Sequence, residues 1–279
     1  MTTAYSGDGI TFPDNSVQAT APRVGMVNRI INGDMRIDQR NAGAAVTTNG
    51  AYAVDRFATT FSADGAFSAE QSSIAPTGFV NSVKYTTTTA DASLTGTQRL
   101  GVVQRIEGSN ITDLAWGTAS AATVTLSFWV RSSLTGTFGG TFKNSANNRS
   151  YPFAYTISVA DTWEQKSVTV AGDTSGTWLT TNGVGIRLEF GLGCGPDGSG
   201  TAGAWSASNL FSTTGATSVV GTSGATFYIT GVQLEKGSTA TDFEYVDYGR
   251  QLQMCQRYFQ QTRRDAATGE LSICSGFQT

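Results

Sequence analysis

The chain of 279 residues contains no histidine. That absence removes Ser-His-Asp and Cys-His triads, imidazole acid–base catalysis and nearly all common zinc sites. Charge is also scarce: Asp, Glu, Lys and Arg make up 14% of the chain, well below the usual quarter. The formal net charge is −3 and there is no basic run, so nothing drives binding to a phosphate backbone, and no nucleic-acid partner is expected. Arg257, Arg263 and Arg264 form the only basic cluster, too small for such a footprint. No apolar run approaches the ~20 residues that span a bilayer, which argues against membrane insertion. The start, MTTAYSGDGI, has neither the charged nor the apolar region of a signal peptide. Cysteine is nearly absent too. Cys194, Cys255 and Cys274 are odd in number and lack CxxC spacing, so they make neither a disulfide framework nor a metal site. Cys255 lies on an apolar helical stripe and reads as a buried small hydrophobe. Cys194, in GLGCGPDGSG, reads as a loop thiol, open to reaction or to a bridge with a neighbouring chain.

What is present is a β composition. Apolar residues make up 39%, enough for a core, and the 33 glycines with abundant Thr, Ser and Asn supply turns and an uncharged, hydrated surface. Between Val27 and Tyr248, strand-like segments follow one another at sandwich spacing. They are Arg29–Met35, Tyr52–Thr60 with Val54 and Phe57 as core, Phe79–Thr86, Arg99–Glu107, Thr123–Ser132, Ser150–Ser158, Glu164–Val170, Val184–Leu192 and Ala225–Leu234. No useful helix is expected among them. From Tyr248 to Thr262 the spacing of Leu252, Cys255, Tyr258 and Phe259 changes to three or four residues and predicts a short amphipathic helix. Its stripe either packs on its own sandwich or meets two other copies at a shared axis; the narrow stripe favours the axis. Beyond it, Leu271, Ile273, Ser275 and Phe277 alternate as a strand. Near the start, Gly9–Ala21 alternates around a Pro-Asp-Asn turn, a hairpin signal.

Two motifs frame the central region: NRIINGDMRIDQRN at residues 28–41 and ITGVQLEKGSTATDFEY at residues 229–245. This opener and closer, with YAVDRF at 52–57, resemble those of jelly-roll domains similar to carbohydrate-binding modules, in the version carried by bacteriophage tail fibres. The ITFPDNSVQATA element at 10–21 also resembles a tail-fibre segment, with Asn15 where that pattern has Gly. The resemblance implies an all-β jelly-roll β-sandwich with a polar N-terminal attachment segment (1–26), the sandwich (27–248) and a helix–strand appendage (249–279). That appendage ends the chain or begins a further C-terminal domain. It implies a non-enzymatic virion tail-fibre protein, assembled in the host cytoplasm, homotrimeric, docked to tail, baseplate or collar proteins and adhering to a host-surface polysaccharide. The alternative is a purely structural collar fibre, head fibre or capsid decoration protein. The trimer contacts expected are Phe12, Val17, Leu252, Cys255, Tyr258 and Phe259. No cofactor is expected beyond a structural calcium ion, for which Asn32 and Asp34 match the opener. The closer departs from the pattern with Thr230-Gly231 where an acidic residue often stands.

In TVTLSFWVRS, Val124, Leu126, Phe128 and Val130 share one face and should enter the core, leaving Ser127, Trp129 and Arg131 opposite. Aromatic faces suit sugar C–H patches, and amide or charged groups suit hydroxyls. In the binding modules that this chain resembles, such an opposite face can be the concave one that holds sugar, so the resemblance makes Trp129, Arg131, Gln104 and Arg187 the expected glycan ligands. Trp129 covered by a loop or a neighbouring subunit, with Arg131 paired to a carboxylate, is the structural alternative. Trp116, Trp178 and Trp205 are either sugar platforms at loop tips or a plug over the sandwich end. Glu107, Glu189 and Asp173 are spread over separate segments and single out no glycosidase pair.

Overall fold

The computed structural model describes residues 26–261 throughout, and outside them only the backbone of a few short strand segments. Eleven strands build the body: β1 (Tyr52–Val54), β2 (Phe57–Phe61), β3 (Ala66–Ser72), β4 (Ser82–Thr89), β5 (Arg99–Glu107), β6 (Val124–Ser132), β7 (Gly136–Lys143), β8 (Ser150–Ile157), β9 (Glu164–Val170), β10 (Val184–Cys194) and β11 (Thr226–Lys236). They form two antiparallel sheets. The first, six-stranded, runs β8-β7-β10-β5-β2-β1; the second, five-stranded, runs β9-β6-β11-β4-β3. The chain crosses repeatedly between them, which makes this a β-sandwich of the jelly-roll type. Among the described residues one α-helix, α1 (Tyr248–Gln256), follows β11.

Alternation along the strands decides what is buried. Val124, Leu126, Phe128 and Val130 all enter the core from β6, as their spacing predicts. Phe128 meets Phe190 of β10 edge to face, with ring centres 5.0 Å apart, and Phe138 of β7 stacks on Phe227 of β11 at 6.0 Å. These contacts join the two sheets. Each buried Phe contributes on the order of 2–3 kcal/mol relative to exposure. Val54 and Phe57 are fully buried, as expected.

Several strand expectations change. Arg29–Met35 is not a strand: residues 31–34 form a turn, and Asn32 and Met35 adopt φ of 61° and 60°. Side chains replace a neighbouring strand there. Asn32 Nδ2 donates to the carbonyls of Ile37 (2.9 Å) and Asp55 (2.8 Å), and its Oδ1 accepts from Ile37 N–H. Tyr52–Thr60 divides into β1 and β2 at the Asp55-Arg56 turn, where Arg56 takes φ 72°. Phe79 lies before β4 rather than in it. The strands β3 and β7 carried no clear sequence signal. In β7, GTFGGTFK, the glycines read as a loop. They permit close packing instead: a Cβ at Gly140 would lie 2.3 Å from the Phe153 ring.

Asp247 caps α1 by accepting from Arg250 N–H, and Gln251 and Cys255 are its buried positions. Cys255 packs on Ile31 and Ile37 of the opener, with Leu252, Met254 and Tyr258 around them. The stripe is therefore covered by its own chain. This corrects the assignment of Cys255 to a shared axis: it is only 1% exposed and is enclosed without a partner chain. Phe12, the side chain of Val17, and Cys274 lie outside the described residues.

Candidate functional site

The two faces turned away from the core carry the candidate surfaces. On the five-stranded sheet, register aligns two cross-strand rows. In one, Gln165 of β9, Trp129 of β6 and Thr230 of β11 stand side by side. In the next, Arg131, Tyr228 of β11, Lys84 of β4 and Glu70 of β3 follow. Trp163, just before β9, meets the Tyr228 ring edge-on at 6.2 Å. The Arg131 guanidinium lies 5.2 Å from the Tyr228 ring centre and is anchored by Asp161, through the carbonyl at 2.8 Å and Oδ1 at 3.2 Å. Trp129, Trp163 and Arg131 are part-exposed. This row sets flat aromatic surface beside amide and guanidinium donors.

A bulge shapes the surface. The pairing of β11 with β6 shifts between Thr230 and Gln233, and Gly231 sits there at φ 60°. A Cβ on Gly231 would lie 2.8 Å from the Phe79 ring and 3.0 Å from Trp129. Glycine thus lets Phe79 and Trp129 close over the backbone. Phe79 packs in turn on Phe243 and Tyr245, at 5.2 and 5.6 Å.

Of the expected glycan ligands, Trp129 and Arg131 are brought together and the other two are not. Gln104 lies on the inward face of β5, 1% exposed, and its Nε2 donates to Ile31 O at 2.9 Å. It is a core amide holding the opener and has no access to a surface ligand. Arg187 belongs to the opposite, six-stranded sheet, where its Nε pairs with Glu189 Oε1 at 3.0 Å. Sequence reasoning also missed Tyr228 and Trp163. Tyr228 alternates with Phe227 and Ile229, a signal that would have placed it beside Arg131 once the register was known.

The tryptophan alternatives resolve toward a plug. Trp116, Trp178 and Trp205 meet mutually edge to face, with ring centres 4.7 to 5.4 Å apart. Each indole N–H is used: Trp116 donates to Ala122 O, Trp178 to Ser175 O and Trp205 to Ala171 O. Trp116 and Trp178 are buried and belong to the main core.

The carboxylates considered for glycosidic chemistry are each tied to cations. Glu107 accepts from Arg257 at 2.9 and 2.6 Å and from Tyr258 Oη at 2.6 Å. The Arg257 hydrogen bonds hold its carboxyl down to about 2. Glu189 pairs with Lys143 at 2.7 Å. Asp173 takes a two-pronged contact from Arg149, at 2.7 and 2.6 Å. No two of these acids are hydrogen-bonded to each other.

The opener does not fit a calcium ion. The Asn32 carboxamide is committed to backbone groups, as above. Asp34 borders a cavity of about 440 Å³, mouth included, together with Asn28, Glu244 and Arg250. Its Oδ2 is held by Arg36 and its buried Oδ1 has no partner, while burial raises its pKa. Among the described residues, no three His, Cys, Asp or Glu side chains converge to hold a metal ion.

No family profile matches the chain, and no curated protein sequence matches it. Solved structures do resemble it. One is the enzymatically active domain of tailspike protein 4 of Bacteriophage CBA120, at 12% identity and a TM-score of 0.39, over 76% of this chain and only 22% of the tailspike chain. Another is the xylan-binding domain CBM22-1 of Paenibacillus barcinonensis Xyn10C, at 10% identity and a TM-score of 0.35, over 72% of this chain and 99% of that one. A third is the family 11 carbohydrate-binding module of Clostridium thermocellum in complex with a mixed-linked tetrasaccharide, at 12% and 0.35, over 74% and 100%. At these identities and TM-scores the likeness carries nothing about ligand or assembly.

Proposed function

We propose that this chain is a non-enzymatic part of a bacteriophage virion fibre whose sandwich adheres to a host-surface glycan. The observation that carries the reading is the outer row of the five-stranded sheet. There Trp163, Arg131 and Tyr228 stand together beside Gln165 and Trp129, the pairing of ring faces with polar donors that sugars require. The order of opener, YAVDRF and closer along the sequence supports the fibre assignment. Fibres repeat such sites, so weak single contacts gain avidity. The homotrimer belongs to this proposal. With Cys255 enclosed by its own chain, the trimer contacts are Phe12 and Val17 in the N-terminal segment and the part-exposed Leu252, Tyr258 and Phe259.

The test is binding of the purified chain to host-surface polysaccharide, with Trp129→Ala and Trp163→Ala as variants. Saturable binding weakened roughly tenfold by either variant, with the fold retained, is the expected result. A second reading, a collar, head-fibre or decoration protein without glycan affinity, is favoured by the tether of Arg131 to Asp161 and the burial of Tyr228. A wild-type chain that labels purified virions yet binds no host polysaccharide would establish that second reading.

A further inference from the structure

The outer face of the six-stranded sheet carries a different chemistry. Register places Lys143 of β7 directly opposite Arg187 of β10, and Arg187 directly opposite Arg105 of β5. Like charges directly opposite one another destabilise a sheet, so a row of three cations needs compensation. The compensation found is incomplete. Glu189, in the next row, pairs with Lys143 at 2.7 Å and Arg187 at 3.0 Å. Arg105 has no carboxylate partner among the described residues. Neither has Arg99, farther along β5, whose Nε donates to Thr60 Oγ1 at 3.0 Å and whose Nη1 donates to Thr97 O at 3.3 Å.

The surroundings keep these charges in place. The Phe211 ring lies over both Lys143 (3.7 Å) and Arg99 (3.9 Å). Lys143 is fully buried, while Arg99, Arg105 and Arg187 reach the surface. Beside Arg99 a cavity of about 180 Å³, mouth included, opens between Thr60, Gly101, Gly193 and Cys194. Burial pushes the Lys143 ammonium down to about 8, with Arg187 and Arg99 adding to the shift and Glu189 opposing it. Glu189 is thus shared by Lys143 and Arg187, while Arg105 and Arg99 stand without an ion pair among the described residues, on a chain whose net charge is −3. A folded protein gains nothing from such a face by itself; an anion bound there would supply the missing charge.

We propose that this face binds the carboxylates of an acidic polysaccharide, with Arg105, Arg187 and Arg99 as the groups that reach it. The proposal rests on the adhesion reading and names its glycan class: a polymer of uronic acid residues. Planar guanidinium forks match carboxylates two-pronged, and three arginines along the face suit a repeating anion better than a single ion.

The test compares polygalacturonate with its methyl ester, a neutral polymer of the same backbone, using the wild-type chain and Arg105→Gln and Arg99→Gln variants. Expected is binding of the acid form that weakens as salt rises and falls roughly tenfold or more in each variant, with Arg105→Lys partly retaining it. Arg105 lacks a carboxylate partner among the described residues, so the unfolding midpoint of Arg105→Gln should stay level or rise. Acid-form binding unchanged by both Gln variants overturns the site. Equal binding of both forms overturns the acidic class and leaves the adhesion reading standing. No binding to either form, nor to host polysaccharide, overturns both.

Discussion

Asn28 Oδ1 accepts a hydrogen bond from the backbone N–H of Leu234 at 3.0 Å, across 206 residues of chain. The same oxygen accepts from Ile30 N–H at 2.9 Å, and Asn28 Nδ2 donates to Val232 O at 3.1 Å. One buried carboxamide thus fastens the opener to β11. Replacement by Ala leaves these backbone groups without partners, and Asn28→Ala should cost about 2–4 kcal/mol. Denaturant unfolding measures it; a loss under ~0.5 kcal/mol would show that water takes over the contacts.

The tryptophan plug predicts a second loss. Trp178 is buried against Trp116 and Trp205 and donates to Ser175 O at 3.1 Å. Trp178→Ala opens a cavity at the sandwich end and should cost about 3–5 kcal/mol. If the rings were sugar platforms instead, the variant would keep its stability and lose glycan binding.

Gly231 predicts strain. Any other residue there must hold φ near 60° and press on Phe79 and Trp129. Gly231→Ala should destabilise by about 2 kcal/mol or more and alter the fluorescence of the neighbouring indole. An unchanged unfolding midpoint would mean that the bulge relaxes freely.

The Glu107–Arg257 contact predicts a pH dependence. The folded carboxyl is depressed from 4.5 to about 2 by the Arg257 hydrogen bonds, with Tyr258 and Ser109 also donating. A depressed acid stabilises the fold above its unfolded value and loses that stabilisation as the pH falls. The contribution should be complete above about pH 4.5 and fade toward pH 2. Because Arg257 is largely solvent-exposed, the effect should also shrink in high salt. Thermal melts of wild type and Glu107→Gln between pH 2 and 6 read it: the difference between them should narrow as the pH falls.

Thiol chemistry gives a further check. Burial pushes Cys255 up to about 12 and Cys194 up to about 11. In a Cys274→Ser variant at pH 8, Cys255 should react with a disulfide reagent only on unfolding. Cys194, part-exposed, should react more slowly than a free thiol. Rapid labelling of both in the native protein would contradict the packing of α1 on Ile31 and Ile37.

Much of this was legible in the residues. β5 and β9 have the bounds their patterns predict, and the helix begins where the spacing changes, at Tyr248. Signals failed where local rules conflict. Gly139 and Gly140 hid β7, because glycine is depleted in strands and its use for close packing leaves no pattern. The opener alternates like a strand, yet Asn28 and Asn32 draw its backbone into other hydrogen bonds. Gln104 was misplaced because a polar amide stands on the inward parity of RLGVVQRIE, in line with Leu100, Val102 and Ile106. A buried amide is the exception to the polar-out rule, and only its hydrogen bond to Ile31 O explains it.

By itself the sequence determined the class of the protein: an all-β chain, without histidine chemistry, framed by two motifs and carrying a short amphipathic helix after the second. Only the tertiary structure decided which side chains share a face. It separated Trp129 and Arg131 from Gln104 and Arg187, and turned the α1 stripe onto the chain's own opener. It also aligned Lys143, Arg187 and Arg105 from three distant segments. The physical reason is that periodicity along one strand fixes only the relative facing of its own side chains, whereas the register between strands is fixed by packing and bulges that residues far apart in sequence make together.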